Sequence, residues 1–301
     1  VLGAQSGVTI GSNIATLGGN LTIQGANADG LSLTASTTTV TFSGGTVSTL
    51  GGTAAGNLSI DATGAVQQTG GSLLIKGGTT VTTGSGQSIT LGLTANRFDG
   101  EVSFLASTGN LENITFSDTT ALELQNALTI SGNLILAANG ITQAGAVTIG
   151  GDSTFNSGIG SIDLSSVNNF TGSVSLTGGN TTIRDASGLI FGTSTITGSL
   201  QAFATAGTIT QTGSLSVSNG ATFTADTGQA ITLAHLNPTT GLADNSFLGG
   251  VSFLASAVNL SNITLVATTP VEIQSNLNIT GNLSVTANGI AQSGVITVGG
   301  T

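Results

Sequence analysis

The sequence predicts an all-β chain wound as a parallel β-solenoid of about 12 coils, each of roughly 19–26 residues and some lengthened by loops. Three observations carry that prediction. Whole phrases recur along the chain, the composition favours strands over helices, and short apolar-alternating runs are punctuated by Gly, Asn and Asp. The clearest recurrence is "ANGITQAGAVTIGG", from Ala138 to Gly151, which returns 149 positions later as "ANGIAQSGVITVGG", from Ala287 to Gly300.

Composition excludes several classes at once. Of 301 residues 47 are Gly, aromatics make up 4% and charged residues 5%, and Trp, Tyr, Cys and Met are absent. An ordinary soluble domain carries about 25% charged residues. Thr, Ser, Gly, Asn and small aliphatics take their place. That mixture disfavours helices, because β-branched side chains lose rotamer freedom and Gly loses backbone entropy. It suits strands joined by tight turns. With no cysteine there are no disulfides, so packing and backbone pairing must hold the fold.

Lys76, Arg97 and Arg184 are the only permanent cations, against thirteen acids, for a formal charge of −10. Nucleic acid is excluded as a partner, since neutralising phosphate needs clustered Lys and Arg. The acids are dispersed and keep a neutral surface soluble. No membrane span is expected. The uncharged interval from Ala186 to Ala225 is broken throughout by Thr, Ser and Gly, and a membrane barrel would need aromatic girdles. The start, "VLGAQSGVTIGSN", has no signal-peptide pattern, and both ends read as open coils of a longer chain.

The repeat has a definite unit. A Gly-Asn/Ser-Leu phrase opens at Gly56 ("GNLSIDATG"), Gly132 ("GNLILAANG"), Gly198 ("GSLQAFATAG") and Gly281 ("GNLSVTANG"), at intervals of 76, 66 and 83 residues by subtraction. A Gln among small residues follows each opening: Gln68, Gln143, Gln211 and Gln292. A second phrase, Asn-x-Phe-x-Gly-x-Val-Ser-Phe/Leu, appears as "NRFDGEVSF", "NNFTGSVSL" and "NSFLGGVSF", starting at Asn96, Asn168 and Asn245. These phrases define one solenoid segment, 1–301, with modules 57–132, 133–198 and 199–281 and partial modules 1–56 and 282–301. Each module divides into about three coils. The excursion "HLNPTTGLADN", from His235 to Asn245, is a surface loop.

Topology follows from the unit length. Apolar residues at helical spacing are missing. The Asn139-Gly140 and Asn288-Gly289 pairs keep an antiparallel sandwich array open as an alternative. A 20-residue unit of three short strands fits better to a coil returning above its own start, whose other faces act as the crossover that parallel strands need. Coils stack about 4.8 Å apart. Val, Ile, Leu and Phe then form inward ladders, with Phe98, Phe170 and Phe247 at one equivalent position, while Ser and Thr face outward. Copying each phrase keeps register, because a one-residue slip turns every apolar side chain outward.

The "GNLxxxAxGxIxQxG" and "NxFxGxVSL" phrases resemble the repeats of filamentous-haemagglutinin-type large bacterial exoproteins, adhesins and effectors exported by two-partner secretion. The resemblance covers most of Asn57–Thr301. It implies a right-handed parallel β-helix, export across the outer membrane, and a fibrous stalk that is secreted or held on the cell surface.

No catalytic, cofactor-binding or metal-binding residue is expected. His235 is the only histidine, read as exposed and solitary. There is no Cys and no His pair for zinc. Asp99 and Glu101 share a strand face like paired carboxylates, but Thr171 and Ser173, then Leu248 and Gly250, stand there in the other copies. A contact of the acids with Arg97, or plain solvation, is the better reading. Asn113, Asn180 and Asn262 head Asn-x-Ser/Thr triplets as corners before strands. The four Gln are expected in an internal ladder or at corners.

The expected function is therefore a structural or adhesive stalk or fibre segment without catalysis. Its partners are adjacent coils of the same or neighbouring chains, stacked end to end, and an unidentified host-surface or polysaccharide receptor. A carbohydrate- or surface-binding β-helix module, using Thr-rich faces such as "TASTTTVTF" and "TTVTT", is the alternative. A polysaccharide-degrading β-helix enzyme fits less well, since clustered acids with aromatic subsites are missing.

Overall fold

The computed structural model describes residues 39–50 and 56–301 throughout, and before them the backbone of strands Leu2–Gly3, Ile14–Thr16, Leu21–Asn27 and Leu31–Ala35. Ser36, Thr37 and Thr38 of the Thr-rich run and most of the opening stretch lie outside the described residues. Two compact units divide the chain, Val1–Gly151 and Asp152–Thr301.

Both units are β-solenoids. Among the described residues there is no helix, and parallel strands stack in about 11 turns. In the first unit Leu58 pairs with Thr79, Thr79 with Val102, and Ile89 with Ile114, which continues to Leu134. In the second, Ile162 pairs with Thr181, Thr181 with Leu200, and Leu200 with Ala221. Each step returns the chain to its own register one coil on, at about the repeat length read from the sequence. Where the excursion after Leu233 intervenes, the step lengthens: Ala221 pairs with Val251 and Ile231 with Ile263. The antiparallel alternative fails. Among the described residues every ladder within each unit is parallel, and the single antiparallel bridge, Leu236 to Ala243, closes that excursion.

Period-two alternation sets the core. Leu58–Ala62 reads buried, exposed, buried, exposed, buried, and Leu128–Ile130 and Val271–Ile273 alternate likewise. Phe98, Phe170 and Phe247 are 1%, 1% and 0% exposed, at the equivalent inward position expected of them. Rings meet across coils: Phe98 lies 4.7 Å from Phe116, and Phe223 stacks on Phe253 at 6.0 Å. Not every hydroxyl faces water, however. In Thr79–Thr83 the first and last threonines point inward, at 1% and 0% exposure, with Val81 between them.

Candidate functional site

The polar residues that recur with the repeat are spent on holding coils in register. Asparagines at the coil corners illustrate this. Asn57 Oδ1 accepts the backbone N–H of Gly78 at 2.9 Å, and Asn113 Oδ1 that of Asn133 at 2.8 Å. In the second unit Asn180 accepts from Ser199 at 3.0 Å, and Asn262 from Asn282 at 2.8 Å. The sequence placed Asn113, Asn180 and Asn262 at corners, and there they are. The Gly preceding each acceptor's partner has its own cause. A Cβ on Gly132 would collide with Asn113 Oδ1 and lie 2.8 Å from Glu112 O, and one on Gly281 would meet Asn262 Oδ1 and Ser261 O in the same way.

A second device lies in the interior. Asn96, first residue of its Asn-x-Phe phrase, is 0% exposed and clasps Gln68 through two amide hydrogen bonds. Gln68 Nε2 donates to Asn96 Oδ1 at 2.8 Å and Asn96 Nδ2 to Gln68 Oε1 at 2.7 Å. The same Oδ1 accepts from Leu73 N, and Nδ2 also donates to Leu91 O. In the second unit Asn245 and Gln211 repeat the arrangement at 2.8 and 3.1 Å, with Leu215 N, Leu233 O and Val266 O as main-chain partners. Asn168, also 0% exposed, donates to Leu164 O. The Gln residues thus hold coils through Asn partners in these two copies, and all four also donate to a nearby glycine carbonyl: Gly71, Gly145, Gly213 and Gly294.

The remaining titratable groups are dispersed. Arg97 Nε donates to Asp99 Oδ1 at 2.6 Å, the ion contact expected there, and Glu101 stands exposed beside it. His235 is not solitary, contrary to the expectation from sequence. The loop hairpin brings Asp244 back to it, with Nδ1 2.9 and 3.0 Å from the two carboxylate oxygens and the ring about one-fifth exposed. A separation of nine positions hid that pairing. Among the described residues no three His, Cys, Asp or Glu side chains converge as a metal site.

Two buried carboxylates escaped the sequence reading. Asp118 is 7% and Asp185 0% exposed. Burial pushes both above the usual carboxylate range, against the opposing pull of hydrogen bonds to Thr120 and Phe98, and to Ser187 and Phe170. A further arrangement stands on the outer face of the second unit. Phe203, half-buried there, is covered by the Arg184 guanidinium 4.9 Å from its ring centre. An open groove of about 500 Å³ lined by Leu248, Pro270 and Ile290 has Glu272 as its one charged residue.

No curated protein and no solved structure matches this chain. A family of repeats matches four times, over residues 35–105, 109–177, 178–253 and 260–301, at starts 74, 69 and 82 residues apart by subtraction. Those intervals track the spacing of the Gly-led openings. The chain accordingly belongs to the family described as repeats of unknown function, DUF5649.

Proposed function

We propose that this chain is a structural or adhesive stalk segment of a bacterial secreted or cell-surface exoprotein, without catalysis. One observation carries the reading: the polar side chains that recur with the repeat, Asn57, Asn113, Asn180 and Asn262 at corners and Asn96 and Asn245 inside, are engaged in coil-to-coil hydrogen bonds. A catalytic or ligand site assembled by a repeat would recur with it, and these positions serve register instead. The parallel solenoid gives a stalk its stiffness by stacking each coil on the last. Likeness of the phrases to filamentous-haemagglutinin-type repeats supports the export and surface location.

The test is protease treatment of intact cells producing the full-length protein from its native gene. Cleavage of the repeat region on intact cells is expected; its protection until the cells are lysed, with the protein in the cytosolic fraction, contradicts the proposal.

A carbohydrate- or surface-binding role is favoured by one specific observation, the outward row Arg184, Phe203, Thr224 and Leu254. Phe203 is the one phenylalanine of the described residues that is not buried, with the Arg184 guanidinium over its ring and Gln201 exposed beside it. Stacked arginine is preorganised to take a carboxylate or sulfate group. Retention of the chain on an acidic polysaccharide, lost in Arg184→Gln, would favour this reading; passage of the native chain through the same column unretained rules it out.

A further inference from the structure

We infer that Asp118 and Asp185 are proton-binding positions built into the same corner of two repeats, so that the folded solenoid becomes more stable as the medium turns mildly acidic. The equivalence is fixed by the backbone. Thr119 N donates to Asn96 O and Ala186 N to Asn168 O, so each acid immediately precedes the residue paired with the Asn of an Asn-x-Phe phrase. Thr268 N donates to Asn245 O in the third copy, where the corresponding residue is Ala267.

Each carboxyl is used on one side only. Asp118 Oδ1 accepts from Phe98 N at 3.1 Å and from the N and Oγ1 of Thr120, both at 2.9 Å. Asp185 Oδ1 accepts from the N and Oγ of Ser187 at 2.9 and 3.1 Å, and the Phe170 and Ala186 N–H groups also interact with this carboxyl. In both residues Oδ2 is buried without a hydrogen-bond partner. An ionised oxygen in that position costs far more than a neutral hydroxyl, and a proton on Oδ2 leaves the hydrogen bonds at Oδ1 intact.

The charged surroundings do not offset that cost. Asp118 faces Arg97 and Asp99 from the preceding coil, and these two are already paired with each other, while the following strand, Leu134–Ala137, carries no titratable group. Asp185 meets Asn168 on one neighbouring strand and Ala204 on the other. Arg184 beside it points to the outer face against Phe203, and Asp163 is exposed.

The direction of the effect follows. Burial raises both carboxyls in the folded chain above their unfolded value. Above the folded value the buried charge destabilises the fold in full; as pH falls toward the ordinary carboxylate value that penalty is lost and stability rises. This opposes the usual acid response, in which paired carboxylates lose their contacts.

The experiment compares thermal midpoints of the full chain and of Asp118→Asn/Asp185→Asn at about pH 7.5 and about pH 5. Relief of general charge repulsion acts on both proteins, so the difference between their shifts belongs to these two residues. A larger upward shift on acidification in the native chain than in the variant is expected; equal shifts overturn the inference. Should the variant not fold, carboxyl carbon resonances of the native chain decide. Titration of Asp118 and Asp185 above the ordinary carboxylate range upholds the inference, and titration within it overturns it. Ala267→Asp, which adds the missing third position, is expected to lower the midpoint at about pH 7.5 and steepen the gain in acid; an unchanged pH response in that variant also counts against the inference.

Discussion

Replacing Asn245 by Ala removes one side of a buried clasp whose cost can be worked from its contacts. Three main-chain groups lose their amide partner: Leu215 N at 2.9 Å, Leu233 O at 3.3 Å and Val266 O at 2.9 Å. At a net of about 1 kcal/mol for each hydrogen bond, that is about 3 kcal/mol. Gln211 also loses its reciprocal pair at 2.8 and 3.1 Å, and stranding its amide adds about 1–3 kcal/mol. The expected loss is therefore about 4–6 kcal/mol, at the high end for a single substitution. Asn245→Asp should do no better, since it keeps the acceptor but loses the Nδ2 contacts to Leu233 O, Val266 O and Gln211 Oε1 and introduces a charge where the exposure is 0%. Because solenoids unfold in pieces, the assay is native-state hydrogen exchange read at the Leu215 amide and its neighbours, with Gln211→Ala and the double variant completing a cycle. Strictly additive single losses, or a loss under about 0.5 kcal/mol for Asn245→Ala, would refute the assignment of the clasp as a register lock.

Other expectations follow from the same geometry. Truncating Phe98, Phe170 or Phe247 to Ala should cost about 3–5 kcal/mol locally by denaturant unfolding, because each is almost completely buried. Gly132→Ala should speed exchange of the Asn133 amide, since the new methyl displaces the Asn113 acceptor; an unchanged rate contradicts the steric account. Asp244→Asn should change stability by less than about 1 kcal/mol, as befits a partly exposed pair on a loop. Asp99→Ala/Glu101→Ala should alter no polysaccharide turnover, and an activity that disappears in this variant would show a site where we expect solvated charge.

The parallel coil was legible because apolar residues alternate with period two and entire phrases recur at coil length. Corner asparagines were legible because Asn113, Asn180 and Asn262 each stand immediately before a β-like run, in Asn-x-Thr triplets. The clasps were half-visible. Gln68 and Asn96 each occur once per module, as do Gln211 and Asn245, but their separation varies with loop length, so no fixed spacing marks the pair. Thr79 and Thr83 were misjudged because "TTVTT" is β-branched throughout, and alternation cannot tell its two faces apart. Asp118 and Asp185 stayed hidden for a different reason. The third copy has Ala267 there, so the position does not read as a repeated acid, and only burial distinguishes it from the solvated ones.

The central claim is that the repeat's recurring polar side chains are committed to holding coils together. Exchange of side-chain amide protons by nuclear magnetic resonance tests it most directly. Asn96, Asn168 and Asn245 are 0% exposed, whereas Asn288 stands exposed on its turn. If buried clasps open only with their coils, at about 4 kcal/mol, the NH₂ protons of the three buried asparagines exchange about a thousandfold more slowly than those of Asn288. Exchange of all four at the same, unprotected rate would contradict the account.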